Sequence, residues 1–390
     1  MIKKNLVQAF ETSEYRARLD KVRASMANAG MDALVVLSEA HLCYLLGYES
    51  FSGAEPQAVL VTLNDDPYFI LRKMDADTAT DAGCWLSQDR IIGYAENYVG
   101  SEEVTAWEVI GRFVKDKVGT SARIGVELSG LGLSSHPKLV AALGVQKPLD
   151  GSDVVAACRV VKSQRELLYM AEAAAIADRG LLAGIDKIGT GVRHCDVAAA
   201  ILSALCAGTE TIPGGPPPAP PYIVGGNHAN APHQFWIDDV FASGQQAYIG
   251  VGSSRHRYAG AVVRTVHLGP ATPRRKQQHE GVLAGFQAAV ETLRPGATCS
   301  DVARACQAAM RPYGLTQESR VGYSFGLDWT DGPSLATNSD TEIVANMTFR
   351  VIVALYERGE NYMLADSVRV TENGAELMST VPRILFERTA

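Results

Sequence analysis

The pattern of the chain changes at about residue 160, where a long Ala-rich helix is expected to begin. Ser163 and Glu166 form a capping-box pattern, with Ser163 as the N-cap and Glu166 at the third helical position. Helical spacing continues from there to about Gly184. A chain of 390 residues is long enough for two domains, possibly three. We therefore expect an N-terminal domain over residues 1–160 and a C-terminal domain over residues 161–390.

The two halves carry different patterns of apolar residues. Residues 11–29 have helical spacing, and the β-branched run at 32–37 predicts a buried strand. Further alternation of helix and strand patterns predicts a small α/β domain. The second half ends in three runs typical of strands, at 348–355, 362–370 and 377–385. The expected fold class is therefore mixed α/β, with helices and strands segregated as in α+β proteins.

Charge and cysteine usage exclude several classes of protein. The chain has 36 basic and 43 acidic residues and no long basic run, which argues against nucleic acid as a partner because phosphate binding needs clustered Lys and Arg. No apolar run reaches the roughly 18 residues that a membrane span requires, so no membrane partner is expected. The N-terminus lacks the apolar segment of a signal peptide, which predicts a cytoplasmic protein. Seven scattered cysteines without a CxxC motif are typical of reduced thiols rather than of a disulfide or zinc framework.

Two histidines lie in a loop that is rich in Gly, Asn and Pro. These are His228 and His233, and the loop continues into Phe235 and Trp236. Imidazoles titrate near neutral pH and suit proton transfer. The two aromatic residues suggest the wall of a pocket for a small-molecule substrate. The alternative is that both histidines are surface residues of the loop, and the pattern alone leaves both interpretations open.

Two further segments combine polar and aromatic side chains beside expected strands. One is the Gly-flanked segment 322–329, which contains Tyr323 and Asp328. The other is the C-terminal strand pair that carries Arg350 and Asp366. These four residues are candidates for substrate contacts. For Tyr323, an aromatic side chain packed in the core is the alternative.

Several motifs that occur in order resemble the creatinase/aminopeptidase P family, in the branch that includes ectoine hydrolase and creatinase. They are RTVHLG at 264–269, GYSFGLDW at 322–329, VRVTENGAEL at 368–377, NAPH at 230–233 and VPRILF at 381–386. The resemblance implies a small N-terminal creatinase-like α/β domain and a C-terminal domain with the pita-bread fold. It also implies a homodimer in which the N-terminal domain lies near the site of the partner subunit.

The resemblance allows the metal ligands of the family to be compared with the residues at the matching positions of this chain. Metal-dependent members hold two metal ions with two Asp, one His and two Glu residues. In this chain the matching positions carry Gly250, Ala261, Tyr323, Ile352 and Ala365, with Asp366 next to the last of them. None of the first four offers an anionic or imidazole ligand. The resemblance therefore implies a metal-free protein without a cofactor.

The resemblance also implies roles for three of the candidate residues. His233 falls on the position of the catalytic histidine of the family, which is the proton shuttle in creatinase. Tyr323 replaces the histidine that binds metal in other members, and its phenol could donate a hydrogen bond to a developing oxyanion. The role of His228 stays open.

Carboxylates that act on the substrate in relatives are missing from this chain. The positions concerned carry Gly250, Val263 and Ile352. The acids that could substitute are Asp366, Asp328 and Glu55. Creatinase contributes a cationic residue near the position of Glu55 to the site of its partner subunit, and an exposed loop charge is the alternative for Glu55. Tyr48, in the loop after Gly47, is expected to lie near the partner's site.

These observations support three hypotheses about function. The first is a metal-independent hydrolase that cleaves a C–N bond in a small polar amino-acid-derived compound, such as a cyclic amidine, a guanidino compound or an amide. The second keeps the site but assigns it a non-hydrolytic ring-forming, ring-opening or lyase step, because the carboxylates are missing. The third is a non-catalytic binding protein with the same fold.

Overall fold

A computed structural model describes residues 8–50, 53, 55–101, 103–228, 231–356 and 361–388. The chain divides into two compact units, Met1–Arg159 and Val160–Ala390. No helix of the described part is long and apolar enough to cross a membrane.

The first unit contains a mixed sheet with helices around it. Its strands are β1 (Ala33–Val36), β2 (Ala58–Thr62), β3 (Tyr68–Arg72), β4 (Ile91–Tyr94), β5 (Ile124–Val126) and β6 (Leu149–Asp150), in the order β4-β3-β2-β1-β5-β6. Its helices are α1 (Thr12–Asn28), α2 (Glu39–Leu46), α3 (Lys73–Ala76), α4 (Ala106–Val118), α5 (His136–Leu143) and α6 (Ser152–Arg159). Strand β1 lies between β2 and β5 and is buried along its whole length, and its residues Ala33 and Val35 share an apolar cluster with residues of α4 and α5.

The second unit contains a larger sheet that carries helices on one face. Its helices are α7 (Gln164–Lys187), α8 (His194–Ala207), α9 (Pro273–Thr292) and α10 (Cys299–Met310). Its strands are β7 (Tyr222–Gly225), β8 (Gln246–Arg255), β9 (Tyr258–Leu268), β10 (Gly322–Ser324), β11 (Thr348–Leu355), β12 (Tyr362–Thr371), β13 (Gly374–Leu377) and β14 (Phe386–Arg388). The sheet order is β10-β11-β12-β9-β8-β7, with β13 beside β12 and β14 beside β9.

Helix α7 begins as its sequence predicts. The side chain of Ser163 accepts a hydrogen bond from the backbone N–H of Glu166, and the Glu166 carboxylate accepts one from the backbone N–H of Ser163. Both bonds satisfy N–H groups that the first turn of a helix leaves without intrahelical partners.

Alternation along the strands gives the large sheet two distinct faces, since successive side chains point to opposite sides. On one side, Ile249, Val262 and Val351 belong to the apolar clusters that pack against α7–α10. We call this side the helix face. The opposite side carries Tyr248, Val263 and other members of a smaller cluster, and we call it the site face.

The expected strand at 377–385 is wrong for most of its length. Strand β13 ends at Leu377 and β14 begins only at Phe386. Between them, Ser379 donates a hydrogen bond to the buried carboxylate of Asp178 over 2.6 Å, and the backbone carbonyl of Val381 accepts one from the Arg264 guanidinium over 2.7 Å. The segment leaves the sheet because it satisfies buried charged groups of other elements.

Candidate active site

One row on the site face contains Gly250, Ile352 and Ala365, three of the positions that the family resemblance matches to metal ligands, together with Val263. Gly250 pairs with Val263, Val263 pairs with Ala365, and Ala365 pairs with Ile352. These pairs cross β8, β9, β12 and β11 in turn, so their side chains share one side of the sheet. The row offers only apolar groups where a dinuclear metal centre needs carboxylate ligands.

A metal centre therefore does not fit this face. Ala261 lies two residues before Val263 on the same side of β9, and it adds a methyl group rather than a ligand. Nowhere in the described ranges do three or more His, Cys, Asp or Glu side chains come together in a group that could hold a metal ion.

Aromatic rings occupy the space that larger side chains at two glycines of β8 would need. A Cβ atom at Gly250 would lie 3.0 Å from the ring of Tyr222, on β7. A Cβ atom at Gly252 would lie 2.7 Å from the ring of Trp329, and Pro218 lies beside the same point at 3.5 Å. The two glycines thus let the rings approach the sheet closely. Because Pro218 lies there, the Pro-rich segment before β7 borders the site face.

Arg350 is a buried charged group of the site face. Its side chain is 5% exposed, its Nη1 donates a hydrogen bond to the Tyr323 phenol oxygen over 3.0 Å, and its Cζ lies 4.7 Å from the centre of the Trp329 ring. Arg350 Nε is buried without a hydrogen-bond partner. Among the described residues, the bond to Tyr323 is the only hydrogen bond of this guanidinium, and no carboxylate pairs with it. An uncompensated buried charge typically costs about 3–5 kcal/mol.

Two further tyrosines lie within electrostatic reach of this cation. Burial raises the pKa of Tyr356 to about 12, and the positive charge of Arg350 acts in the opposite direction. Burial also raises the pKa of Tyr222, again against the effect of Arg350. Both phenols therefore stay protonated near neutral pH and can act as neutral hydrogen-bond donors.

The loop with the two histidines contacts the site face through a stacked aromatic residue and a hydrogen bond. Phe235 is 43% exposed and stacks on Tyr222, with ring centres 5.8 Å apart and an angle of 14° between the planes. His233 lies two residues before Phe235 in a turn, and its side chain is exposed. Residues 229–230, which include the first residue of the NAPH motif, lie outside the described part. The stacking of Phe235 on Tyr222 joins the His233 loop to the site face. The Tyr248 phenol adds a hydrogen bond of 3.4 Å to the backbone carbonyl of Ala231.

Trp236 and His228 are directed away from the site face. Trp236 is half-buried and packs against the apolar cluster of the helix face, so it does not wall the site with Phe235. His228 is exposed at the end of a short turn. It interacts electrostatically with His194 of α8, which stacks on Phe241 of the helix-face cluster.

Asp366, expected at the substrate, belongs to the helix face. It pairs with Val262 across the sheet and has no exposed surface. Its carboxylate accepts hydrogen bonds from Arg264 over 2.9 Å and from Arg383 over 2.6 Å. We therefore assign Asp366 to a structural ion pair, because both of its oxygens are used and the sheet separates it from the site face.

Asp328 lies beside the aromatic residue that contacts Arg350. It is half-buried in the connection between β10 and β11, directly before Trp329. Its backbone carbonyl accepts a hydrogen bond from Gly326 over 3.1 Å. Asp331 in the same connection is buried beside the Lys162 ammonium, with 3.8 Å between Oδ2 and Nζ.

Glu55 and Tyr48 lie in the first unit. Glu55 is half-buried and lines a cavity of about 290 Å³ together with Glu39, Gln57 and Trp107. Tyr48 is 5% exposed, and its ring packs edge-on against Phe69 with 4.9 Å between centres. The Tyr48 side chain is thus part of the packing of its own unit rather than an exposed group that reaches outwards.

Sequence reasoning missed Tyr222 and Tyr356 as members of the site. Tyr222 alternates with Ile223 along β7, so its position on the site face follows once the strand register is known. The sequence pattern also indicated that Asp366 lies on the helix face. It shares its parity along β12 with Leu364 and Val368, which are buried on the helix face.

Comparison with known proteins gives matches over nearly the whole chain. Residues 169–372 match metallopeptidase family M24, and residues 18–161 match the creatinase/prolidase N-terminal domain. An uncharacterized hydrolase/peptidase of Sinorhizobium fredii, y4tL, is 34% identical over 97% of both chains. The ectoine hydrolase of Halomonas elongata is 29% identical over 97% of this chain and 98% of its own.

Solved structures agree with these matches at the level of the fold. The dipeptidase PepE from Mycobacterium ulcerans superposes with a TM-score of 0.81 over 98% of this chain and all of its own, at 24% identity. The expected α/β class, with a creatinase-like N-terminal domain and a C-terminal pita-bread domain, is confirmed. The chain belongs to the creatinase/aminopeptidase P family of hydrolases and peptidases with the pita-bread fold.

Proposed function

We propose that this protein is a metal-independent hydrolase that cleaves a C–N bond in a small amino-acid-derived compound. The observation that carries this proposal is the composition of the site face. Positions that hold metal ligands in relatives carry Gly250, Ala261, Tyr323, Ile352 and Ala365. The matching family is named for metallopeptidases, but this donor set has no carboxylate or imidazole with which to bind a metal ion.

Without a metal-bound hydroxide, proton transfer must activate water. His233 occupies the position of the catalytic histidine in creatinase-like proteins, and its loop touches the site face through Phe235 and Tyr222. In the proposed step, His233 takes a proton from water as the water oxygen bonds to the substrate carbon. It returns that proton to the leaving nitrogen as the C–N bond breaks, so one water is consumed and His233 is regenerated.

In this proposal, Tyr323 stabilises the oxygen that gains charge in the step. Its phenol oxygen accepts the hydrogen bond from Arg350, so its own O–H remains available to donate. A preorganised donor at a developing oxyanion is among the strongest contributions to catalysis.

The ectoine hydrolase relative suggests the first substrate to assay. Ectoine is a cyclic amidine, and related cyclic amidines, guanidino compounds and amides complete the panel. Incubation in ¹⁸O-labelled water followed by mass spectrometry should give a product that has gained one water molecule with the label. Products without added water would instead indicate a non-hydrolytic step and would contradict hydrolysis: the mass is unchanged after an isomerising ring opening, lower by one water after a condensing ring formation, and divided between two fragments after a lyase step.

Substitution of His233 tests the proposed proton shuttle. His233→Ala should lower kcat by roughly 10²–10⁴-fold, which is the usual contribution of a general acid–base residue. His136→Gln, in helix α5 of the first unit, is a matched control and should keep wild-type kinetics. Circular dichroism should show the same folded state for both variants. Wild-type turnover by His233→Ala would overturn the proposal.

We also propose that the chain forms a homodimer, as its resemblance to creatinase implies. Light scattering should give twice the chain mass of 41.7 kDa, and a stable species at the chain mass would contradict it.

A further inference from the structure

Arg350 carries a buried positive charge that the described protein does not neutralise. A buried guanidinium with one hydrogen bond leaves most of its donors unused, including the solvent-excluded Nε. Buried charges in proteins are normally paired and hydrogen-bonded. An unpaired buried charge at a candidate site indicates that a ligand supplies the missing negative charge.

None of the described groups around Arg350 supplies a negative charge. Tyr323 faces it from β10, and Trp329 packs against it from the following connection. On β12 the residue opposite is Ser367, whose hydroxyl is bonded to the backbone of Ala261. Tyr222 is within electrostatic reach and is neutral near pH 7. The described surroundings are aromatic, hydroxylic or apolar.

We propose that Arg350 binds the carboxylate of an organic acid, and that this carboxylate is a part of the substrate itself. The Nη2 group makes no hydrogen bond to a described residue and can donate to a carboxylate oxygen, whereas Nε is excluded from solvent and contributes through the charge of the guanidinium. The hydrogen bond from Nη1 to Tyr323 fixes the orientation of the guanidinium.

The apolar surface beside Arg350 suits the carbon skeleton of such an acid. Ile352 follows Arg350 on the same side of β11, and Ala365 and Val263 continue the apolar row. The ligand is therefore an acid with an apolar or planar body, with the body over this row and the carboxylate at Arg350. This inference deepens the proposed function and rests on it only for the identification of the ligand as substrate.

Measurements of equilibrium binding without turnover test carboxylate binding by Arg350 separately from the proposed hydrolysis. The probes are acetate, propanoate and benzoate, each compared with its neutral amide, together with inorganic phosphate. Thermal unfolding of the full-length wild type should shift upwards and saturate with at least one carboxylate, and none of the amides should reproduce the shift. Arg350→Gln should raise the dissociation constant of that carboxylate at least about tenfold.

Arg320→Gln is the matched control. Arg320 lies 4.3 Å from the centre of the Tyr323 ring, but it is exposed and bonded to Ser334. This variant should bind the carboxylate as the wild type does. His233→Ala should also bind normally, so a failure of hydrolysis alone leaves the carboxylate site standing.

Three outcomes would overturn the inference. The first is the lack of a shift with every carboxylate of the panel, or equal shifts with the amides. The second is wild-type binding by Arg350→Gln. The third is displacement of the carboxylate by phosphate at equal concentration, which would assign the site to tetrahedral oxoanions.

A further variant tests whether misfolding, rather than the loss of the charge, explains weaker carboxylate binding by an Arg350 variant. Arg350→Met keeps the length of the side chain and removes its charge. Without added ligand it should unfold at a temperature no lower than the wild type, because the charge it removes has no partner. A markedly lower unfolding temperature would mean that Arg350 is already compensated, and it would contradict the inference.

Discussion

Arg350 donates a hydrogen bond from Nη1 to the phenol oxygen of Tyr323 across 3.0 Å and so joins β11 to β10 on the site face. The two residues are paired directly in the antiparallel register of these strands. A cation thus stands beside the positions where relatives bind metal ions. It can orient a neutral hydrogen-bond donor, whereas a metal ion would activate water directly.

Removal of the Tyr323 hydroxyl should impair the reaction and leave the fold intact. Tyr323→Phe keeps the ring but deletes the donor proposed for the oxyanion. We expect kcat to fall by about 10²–10³-fold, as for the loss of an oxyanion donor in other hydrolases. Tyr68→Phe, whose ring packs on Phe113 in the first unit, is the control in the same steady-state assay. Equal activity of the two variants would exclude a role for the hydroxyl.

Activity should not depend on a divalent metal ion. The site face offers apolar side chains at the metal positions, so EDTA treatment should leave the rate of hydrolysis unchanged, and added Mn²⁺, Zn²⁺ or Co²⁺ should not raise it. Elemental analysis of the purified protein should find no stoichiometric metal. Loss of activity on chelation, restored by one of these ions, would contradict the metal-independent mechanism.

Gly252 should be required for the position of Trp329. Gly252→Ala places a methyl group 2.7 Å from the ring, so the ring must shift away from β8. We expect a change in tryptophan emission and a loss of about 1–3 kcal/mol in the free energy of unfolding, as for other overpacked sites. Gly132→Ala is the control, because no atom lies within 4 Å of the added carbon there. An unchanged emission spectrum in Gly252→Ala would refute the contact.

Asp366 should matter for stability because of its two guanidinium partners. Asp366→Asn keeps the shape of the side chain but removes the carboxylate that pairs directly with the fully buried Arg264. The free energy of unfolding in urea should fall by about 3–5 kcal/mol. Asp32→Asn breaks an ion pair with Arg123 at the surface and should have little effect. Comparable losses in both variants would argue against the difference in burial as the cause.

Stability should decrease as the pH falls below neutral, in part through His194. Burial lowers the pKa of His194 below its ordinary value of 6.5, the charge of Asp239 acts in the opposite direction, and His228 adds to the lowering. The unfolded chain then binds a proton that the folded state does not. The stabilisation is therefore complete above about pH 6.5 and is lost as the pH falls towards the folded-state pKa.

His194→Phe should reduce this dependence. The variant keeps an aromatic ring against Phe241 and removes the titrating group. The difference in unfolding temperature between pH 8 and pH 5.5 should be smaller than in the wild type. At pH 8, where the imidazole is neutral in both states, the comparison isolates the effect of packing. An identical pH profile would show that His194 does not contribute.

Local sequence patterns were sufficient for much of the secondary structure. The capping box at Ser163 and Glu166 placed the start of α7, because both of its hydrogen bonds join residues three apart. The run at 348–355 coincides with β11, since β-branched and apolar residues suit a buried strand. The segment after Leu377 could not be predicted in this way, because it binds Asp178 and Arg264, which are distant in sequence.

By itself, the sequence determined the family and the α/β fold class with its N-terminal and C-terminal domains, because these depend on motifs and spacing. Only the tertiary structure decided which candidates meet. The Arg350–Tyr323 bond depends on the register of β10 against β11, and this register also places Asp366 on the opposite face through β12. Since a shift of one residue moves every side chain of a strand to the other face, the site came from pairing between distant segments.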